Sequence, residues 1–89
     1  MRQARVKLVN RLGLHARAAS KLVNLTKTFE SKIQLTHEGQ AIDAKSIMSV
    51  LMLAAPVGTE LDLGVTGSDE DAACLAVVEL VNDRFGEDE

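Results

Sequence analysis

The spacing of apolar residues changes period repeatedly along this chain, and that alternation restricts the possible folds more than any single motif does. Residues 3–9 alternate, with Ala4, Val6 and Leu8 on one face and Gln3, Arg5 and Lys7 on the other. A period of two with one polar side predicts a strand wet on one face. From Ala16 the period lengthens. Ala18, Leu22, Leu25 and Phe29, flanked by Ala19, Val23 and Thr26, form the stripe of a helix. Alternation returns at 32–37 through Ile33 and Leu35; Glu38-Gly39 supplies a tight turn, and 40–43 comes back as a short strand, completing a hairpin. Ser46 stands where an N-cap belongs, ahead of a helix over 47–55 that Pro56 and Gly58 bring to an end. In the next strand, 59–66, Leu61, Leu63 and Val65 face inward and Glu60, Asp62 and Thr66 outward. Ser68 and Asp71 have the spacing of a capping box before a last helix that buries Ala73, Ala76, Val77, Leu80 and Val81. The tail, 86–89, is expected to be frayed and solvated. The order β-α-β-β-α-β-α predicts an open-faced α/β (α+β) sandwich with a mostly antiparallel sheet.

Eighty-nine residues suffice for one modest core, so 1–89 is expected to be a single domain without room for a separate cofactor domain. No apolar run reaches the roughly 20 residues of a membrane span, and no basic stretch precedes an apolar one at the start. The lone Cys74 cannot form an internal disulfide and reads as a small core residue; together these features suit a cytoplasmic protein. Two histidines and one cysteine give no metal-ligand spacing, and no cofactor is expected. His37, ahead of the turn, reads as a solvated strand end. The net charge of −3 conceals a division: 1–29 hold seven basic residues and no acidic one, whereas 60–89 hold ten acidic residues and only Arg84 as a base. Such polarity steers partners. A nucleic-acid reader would be more basic and richer in aromatics than a chain whose only ones are Phe29 and Phe85.

The chemistry concentrates in Asn10-Arg11-Leu12-Gly13-Leu14-His15-Ala16-Arg17-Ala18-Ala19. His15 follows a glycine loop and immediately precedes a helix, whose first N–H groups lack intrahelical partners and carry the positive end of the dipole. An anion on His15 would meet the backbone of Ala16, Arg17 and Ala18 and the guanidinium of Arg17, whose fork suits phosphate oxygens. A neutral imidazole is a nucleophile near pH 7, and bound to phosphorus it is also a good leaving group, which suits transfer onward. Spacing alone leaves open a plain N-cap histidine. The second helix holds more apolar residues than one core stripe can use. Val50, Leu53 and Ala54 form one face, and Ile47, Met48, Leu51 and Met52 a second that reads as a docking surface, with Arg11, Arg17, Lys21 and Lys45 around it to attract an acidic partner.

Residues 10–19 closely resemble the active-site signature of the HPr family, the histidine-containing phosphocarriers of the bacterial phosphoenolpyruvate-dependent phosphotransferase system. Ala44-Lys45-Ser46-Ile47-Met48-Ser49-Val50-Leu51-Met52-Leu53-Ala54 resembles that family's second signature. The likeness extends over essentially the whole chain, and the acidic tail is similar to the nitrogen-related branch of the family. It implies a four-stranded sheet of order 1-4-2-3 covered on one face by three helices. It also implies that His15 accepts a phosphoryl group on Nδ1 from Enzyme I and delivers it to an EIIA-type domain. The chain would then be a monomeric carrier between enzymes rather than an enzyme itself. Ser46 matches a position that a dedicated HPr kinase/phosphorylase modifies in many relatives. The sequence departs from the family at Ala18, where proline is common; alanine gives up the preset φ and keeps an N–H. Two other readings stay open: a regulatory module that signals through complexes, and a structural α/β domain in which His15 is incidental.

Overall fold

The computed structural model describes all 89 residues. In chain order the elements are β1 (Arg2–Lys7), α1 (Ala16–Thr26), β2 (Lys32–His37), β3 (Gln40–Asp43), α2 (Ile47–Met52), β4 (Glu60–Thr66) and α3 (Glu70–Asn82), followed by a 3₁₀ turn at Arg84–Gly86. The sheet runs β1-β4-β2-β3, and all three pairings are antiparallel. Its register places Val6 opposite Leu61, and Leu63 opposite Leu35, so the apolar sets predicted from alternation meet on one face. The helices cover that face. Val6, Leu8, Ile33, Leu35, Leu61, Leu63 and Val65 pack against Ala18, Ala19, Leu22 and Val23 of α1 and Ala73, Cys74, Val77 and Val81 of α3. Each large aliphatic side chain so buried contributes about 2 kcal/mol. On the open face Arg5 pairs with Asp62 (3.0 Å) and Glu60 (3.2 Å), contacts in solvent that count for little in stability.

Three expectations are corrected. First, α2 ends at Met52 rather than continuing to Ala55. The N–H groups of Leu53 and Ala54 fall back on the carbonyls of Val50 and Leu51, three residues behind, and Ala54 turns left-handed at φ 47°. This turn leaves the Ala55 carbonyl free to accept the Leu14 N–H at 2.9 Å, stitching the loop after α2 to the loop before α1. Ala54 is therefore not part of a helix face. Second, Ser68 and Asp71 do not form a capping box. Asp69 occupies the N-cap position without capping, because its carboxylate accepts the N–H groups of Glu30 and Ser31 (both 2.9 Å) and the Ser31 hydroxyl. Ser68 donates to Glu30 at 3.2 Å instead, and Glu70 accepts the Gly67 N–H and pairs with the Met1 ammonium. Third, the end of the chain is not frayed. Phe85 is 1% exposed, and Arg84, Phe85 and Gly86 all take positive φ, which turns the chain back across the mouth of α1.

The Ser31 hydroxyl and then the Glu30 N–H hold the Asp69 carboxyl below the ordinary carboxylate range. The Met1 ammonium does the same for Glu70. A depressed native pKa stabilises the fold above the unfolded value of about 4 and stops doing so as the group protonates. The stability these two carboxylates supply is therefore expected to be fully present above about pH 5 and to be lost as pH drops below about 4. Asp69→Asn places an amide donor against these N–H donors; it should lower Tm by several degrees at neutral pH and shrink the acid-side loss. Calorimetry across that range checks both outcomes.

Candidate functional site

Gly13 explains how the site is held. Its φ of +64° is left-handed, and a Cβ there would lie 2.3 Å from the Ala55 carbonyl oxygen, so only glycine lets the two loops touch. Asn10, fully buried, donates from Nδ2 to the Gly13 carbonyl at 2.8 Å and fixes the loop from its other side. His15 then sits at the N-cap of α1 with extended backbone (φ −80°, ψ 178°), and its ring does not cap the helix. The first N–H to close the helical ladder is that of Ala19, on the His15 carbonyl at 2.8 Å. The N–H groups of Ala16, Arg17 and Ala18 have no backbone acceptor, which concentrates unspent donors at this mouth.

The imidazole is about a quarter exposed (26%), so it is neither packed away nor loose. Its Nε2 lies 2.5 Å from Oε2 of Glu87. The other Glu87 oxygen accepts Asn10 Nδ2 at 3.0 Å, and this bond, ahead of that from His15, holds the Glu87 carboxyl below its usual pKa. A carboxylate accepts only, so the ring nitrogen facing it carries a proton. Nδ1 is left without a protein partner. Arg11, Leu12, His15, Ala16, Arg17, Glu87, Asp88 and Glu89 line an open cleft of about 670 Å³.

The residues singled out by sequence are distributed as follows. Ala16 and Arg17 are exposed in the cleft with His15, and the Arg17 guanidinium makes no ion pair. Ala18 is completely buried, with only its N–H turned to this end of the helix. Arg11 is engaged by Glu89, through its side chain at 2.7 Å and through its N–H to the Glu89 carbonyl at 2.7 Å. Lys21 donates to the Phe85 carbonyl and Lys45 to the Phe29 carbonyl, both at 2.7 Å. On α2, Met48 (66%) and Met52 (77%) are exposed, and Ile47 and Leu51 are half-buried. Ser46 caps α2, accepting the Ser49 N–H at 3.3 Å. Sequence reasoning missed Glu87, Asn10 and Phe85. For Phe85 a signal was present: one of only two aromatic residues stands four positions from the end, followed by acids, in a chain whose opposite end is basic.

The one-sided antiparallel sheet of order β1-β4-β2-β3 thus carries a histidine at the mouth of its first helix, beside an arginine without an ion pair. The family model described as the phosphorylation site of the phosphotransferase HPr component matches residues 2–83. The chain is 45% identical to the phosphocarrier protein HPr of Cupriavidus necator over 89 residues, covering both chains fully, and 42% identical to the phosphocarrier protein NPr of Proteus mirabilis over 94% of each. A crystal structure of HPr from Thermoanaerobacter tengcongensis superposes with a TM-score of 0.96 at 34% identity, covering both chains fully. The chain belongs to the HPr family and is a phosphocarrier of the phosphotransferase system.

Proposed function

We propose that His15 Nδ1 is the atom that carries the phosphoryl group, taking it from phosphorylated Enzyme I and giving it to a histidine of an EIIA-type domain. The observation that carries this reading is the placement of His15, which lines the cleft at the mouth of α1, has one ring nitrogen without a protein partner, and precedes N–H groups that lack backbone acceptors. In-line transfer asks for positioning and charge neutralisation rather than bond chemistry by the protein. The backbone of Ala16, Arg17 and Ala18 and the Arg17 side chain supply that neutralisation, and no base within the chain is required. The protein therefore acts on no substrate of its own: residues 1–89 serve as a single carrier domain, monomeric and cytoplasmic, between two enzymes.

Incubation with Enzyme I and phosphoenolpyruvate should leave acid-labile, base-stable phosphate on the chain, which an added EIIA domain should then remove. Phosphate accepted but never passed on would favour a regulatory module. The partners would dock on Met48 and Met52 with the exposed parts of Ile47 and Leu51, guided by the cations Arg11, Arg17, Lys21 and Lys45. Exposed methionines adapt to more than one apolar surface. Met48→Asp is expected to raise the half-saturating Enzyme I concentration by about tenfold, since it buries a charge in the interface, and to leave Tm unchanged. A half-saturating concentration equal to the parent's would remove this surface from the proposal. Ser46 is the regulatory position: a kinase would add about 1.5 to 2 negative charges there, beside the docking surface and at a helix start that tolerates them.

A further inference from the structure

We infer that Glu87 is a positioning residue for phosphoryl transfer: its carboxylate takes the Nε2–H of His15 and so presents the lone pair of Nδ1 to the incoming phosphorus. This inference rests on the reading that His15 carries the phosphoryl group. Glu87 lies outside residues 2–83, the stretch that the family model matches.

The arrangement is built rather than incidental. Both Glu87 oxygens are used, one by His15 Nε2 at 2.5 Å and one by the buried Asn10 Nδ2 at 3.0 Å, and the side chain is only 13% exposed. Behind it, Phe85 anchors the turn in the core, and Lys21 holds the Phe85 carbonyl at 2.7 Å. Ahead of it, Glu89 is clamped to Arg11 through side chain and backbone. The tail therefore cannot swing without breaking contacts on both sides of Glu87.

In the accepting step the Nδ1 lone pair forms the bond to phosphorus, and the donor's bond to phosphorus breaks with its electron pair leaving on the donor. The ring retains its Nε2 proton and gains one positive charge, which faces the Glu87 carboxylate. In the onward step a ring nitrogen of the acceptor histidine bonds to phosphorus as the Nδ1–phosphorus bond breaks; that electron pair returns to Nδ1, and the ring is neutral again with the same proton in place. A carboxylate on the far nitrogen thus fixes the tautomer and offsets charge that exists only once the bond has begun to form.

The test compares the parent, Glu87→Ala, Glu87→Gln and His15→Ala as full-length chains. Ring-nitrogen NMR of His15 should show the Nε2–H tautomer in the parent and a mixture in Glu87→Ala. Single-turnover phosphorylation by Enzyme I at saturating donor should slow by about tenfold in Glu87→Ala, with the half-saturating concentration unchanged. Glu87→Gln, which keeps an acceptor oxygen without the charge, should retain the tautomer and recover part of the rate. Parental tautomer and rate in Glu87→Ala would overturn the inference and leave His15 as carrier. Undiminished phosphorylation of His15→Ala would instead overturn the reading beneath it.

Discussion

Replacing Arg17 with glutamine is expected to slow phosphoryl acceptance by about 10²-fold or more while leaving Tm unchanged. Arg11, Lys21 and Lys45 are each held by an acceptor within the chain, whereas the Arg17 guanidinium stands exposed in the cleft without an ion pair. It is the cation at this mouth that can move onto a phosphoryl group without first giving up a partner. Charge on the phosphoryl oxygens shifts during transfer, and a cation already in place lowers the barrier more than it tightens ground-state binding. Glutamine keeps an amide donor on a shorter side chain and removes the charge. Since the side chain is exposed and makes no ion pair, the fold should not register the change. Rapid-quench measurement of a single turnover reads the effect directly; a rate equal to that of the parent would show that the backbone N–H groups of α1 suffice.

The second large effect belongs to Gly13→Ala. Alanine at φ +64° is strained by roughly 1 kcal/mol or more. Its Cβ would also fall 2.3 Å from the Ala55 carbonyl oxygen and 2.8 Å from the Pro56 carbonyl carbon, both backbone atoms that cannot rotate away. Separating the two loops breaks the Leu14 N–H bond to Ala55, and any shift of residue 13 displaces the carbonyl that accepts from the fully buried Asn10. Strain, overpacking and lost hydrogen bonding together should cost about 3 kcal/mol or more, a fall in Tm of about 10 to 20 °C for a chain of this size. Relay activity should drop even where the variant remains folded, because Leu14 carries His15. Calorimetry beside a transfer assay at low temperature separates the two losses; an unchanged Tm would mean that the loops do not need their close approach.

The layered architecture was legible because each strand carries its own period. In β4, Leu61, Leu63 and Val65 alternate with Glu60 and Asp62, and a shift of one residue would drive carboxylates into the core. The order of the strands was available only through resemblance, since alternation says which face is buried and not which neighbour lies alongside. Local rules failed where a distant partner offered more. Asp69 has the composition of a helix start, yet its carboxylate binds Glu30 and Ser31 across the molecule. The second helix looked longer than it is because 53–55 are apolar, whereas their backbone turns away to hold Leu14.

The charge division along the chain is the most instructive case. Read by itself, a basic start and an acidic end point to partner steering. In the fold, all five ion pairs between fixed charges join 1–29 to 60–89, among them Arg2–Asp71 and Arg11–Glu89, and the His15–Glu87 hydrogen bond joins the same two stretches. Much of that polarity is spent inside the molecule, and at the active end it brings an acidic tail over the histidine. His15 and its helix were legible from ten consecutive residues. Glu87, 72 positions away, was not, because nothing local in an acidic tail distinguishes a ring partner from a solvated end.

The central claim is that the phosphoryl group is borne by the unpartnered nitrogen of His15, and NMR of the nitrogen-labelled chain after phosphorylation by Enzyme I tests it most directly. A phosphorus–nitrogen coupling at His15 Nδ1, with a proton still on Nε2, is the expected result. A coupling at His15 Nε2 or at His37, or phosphate found only on oxygen, would contradict the account.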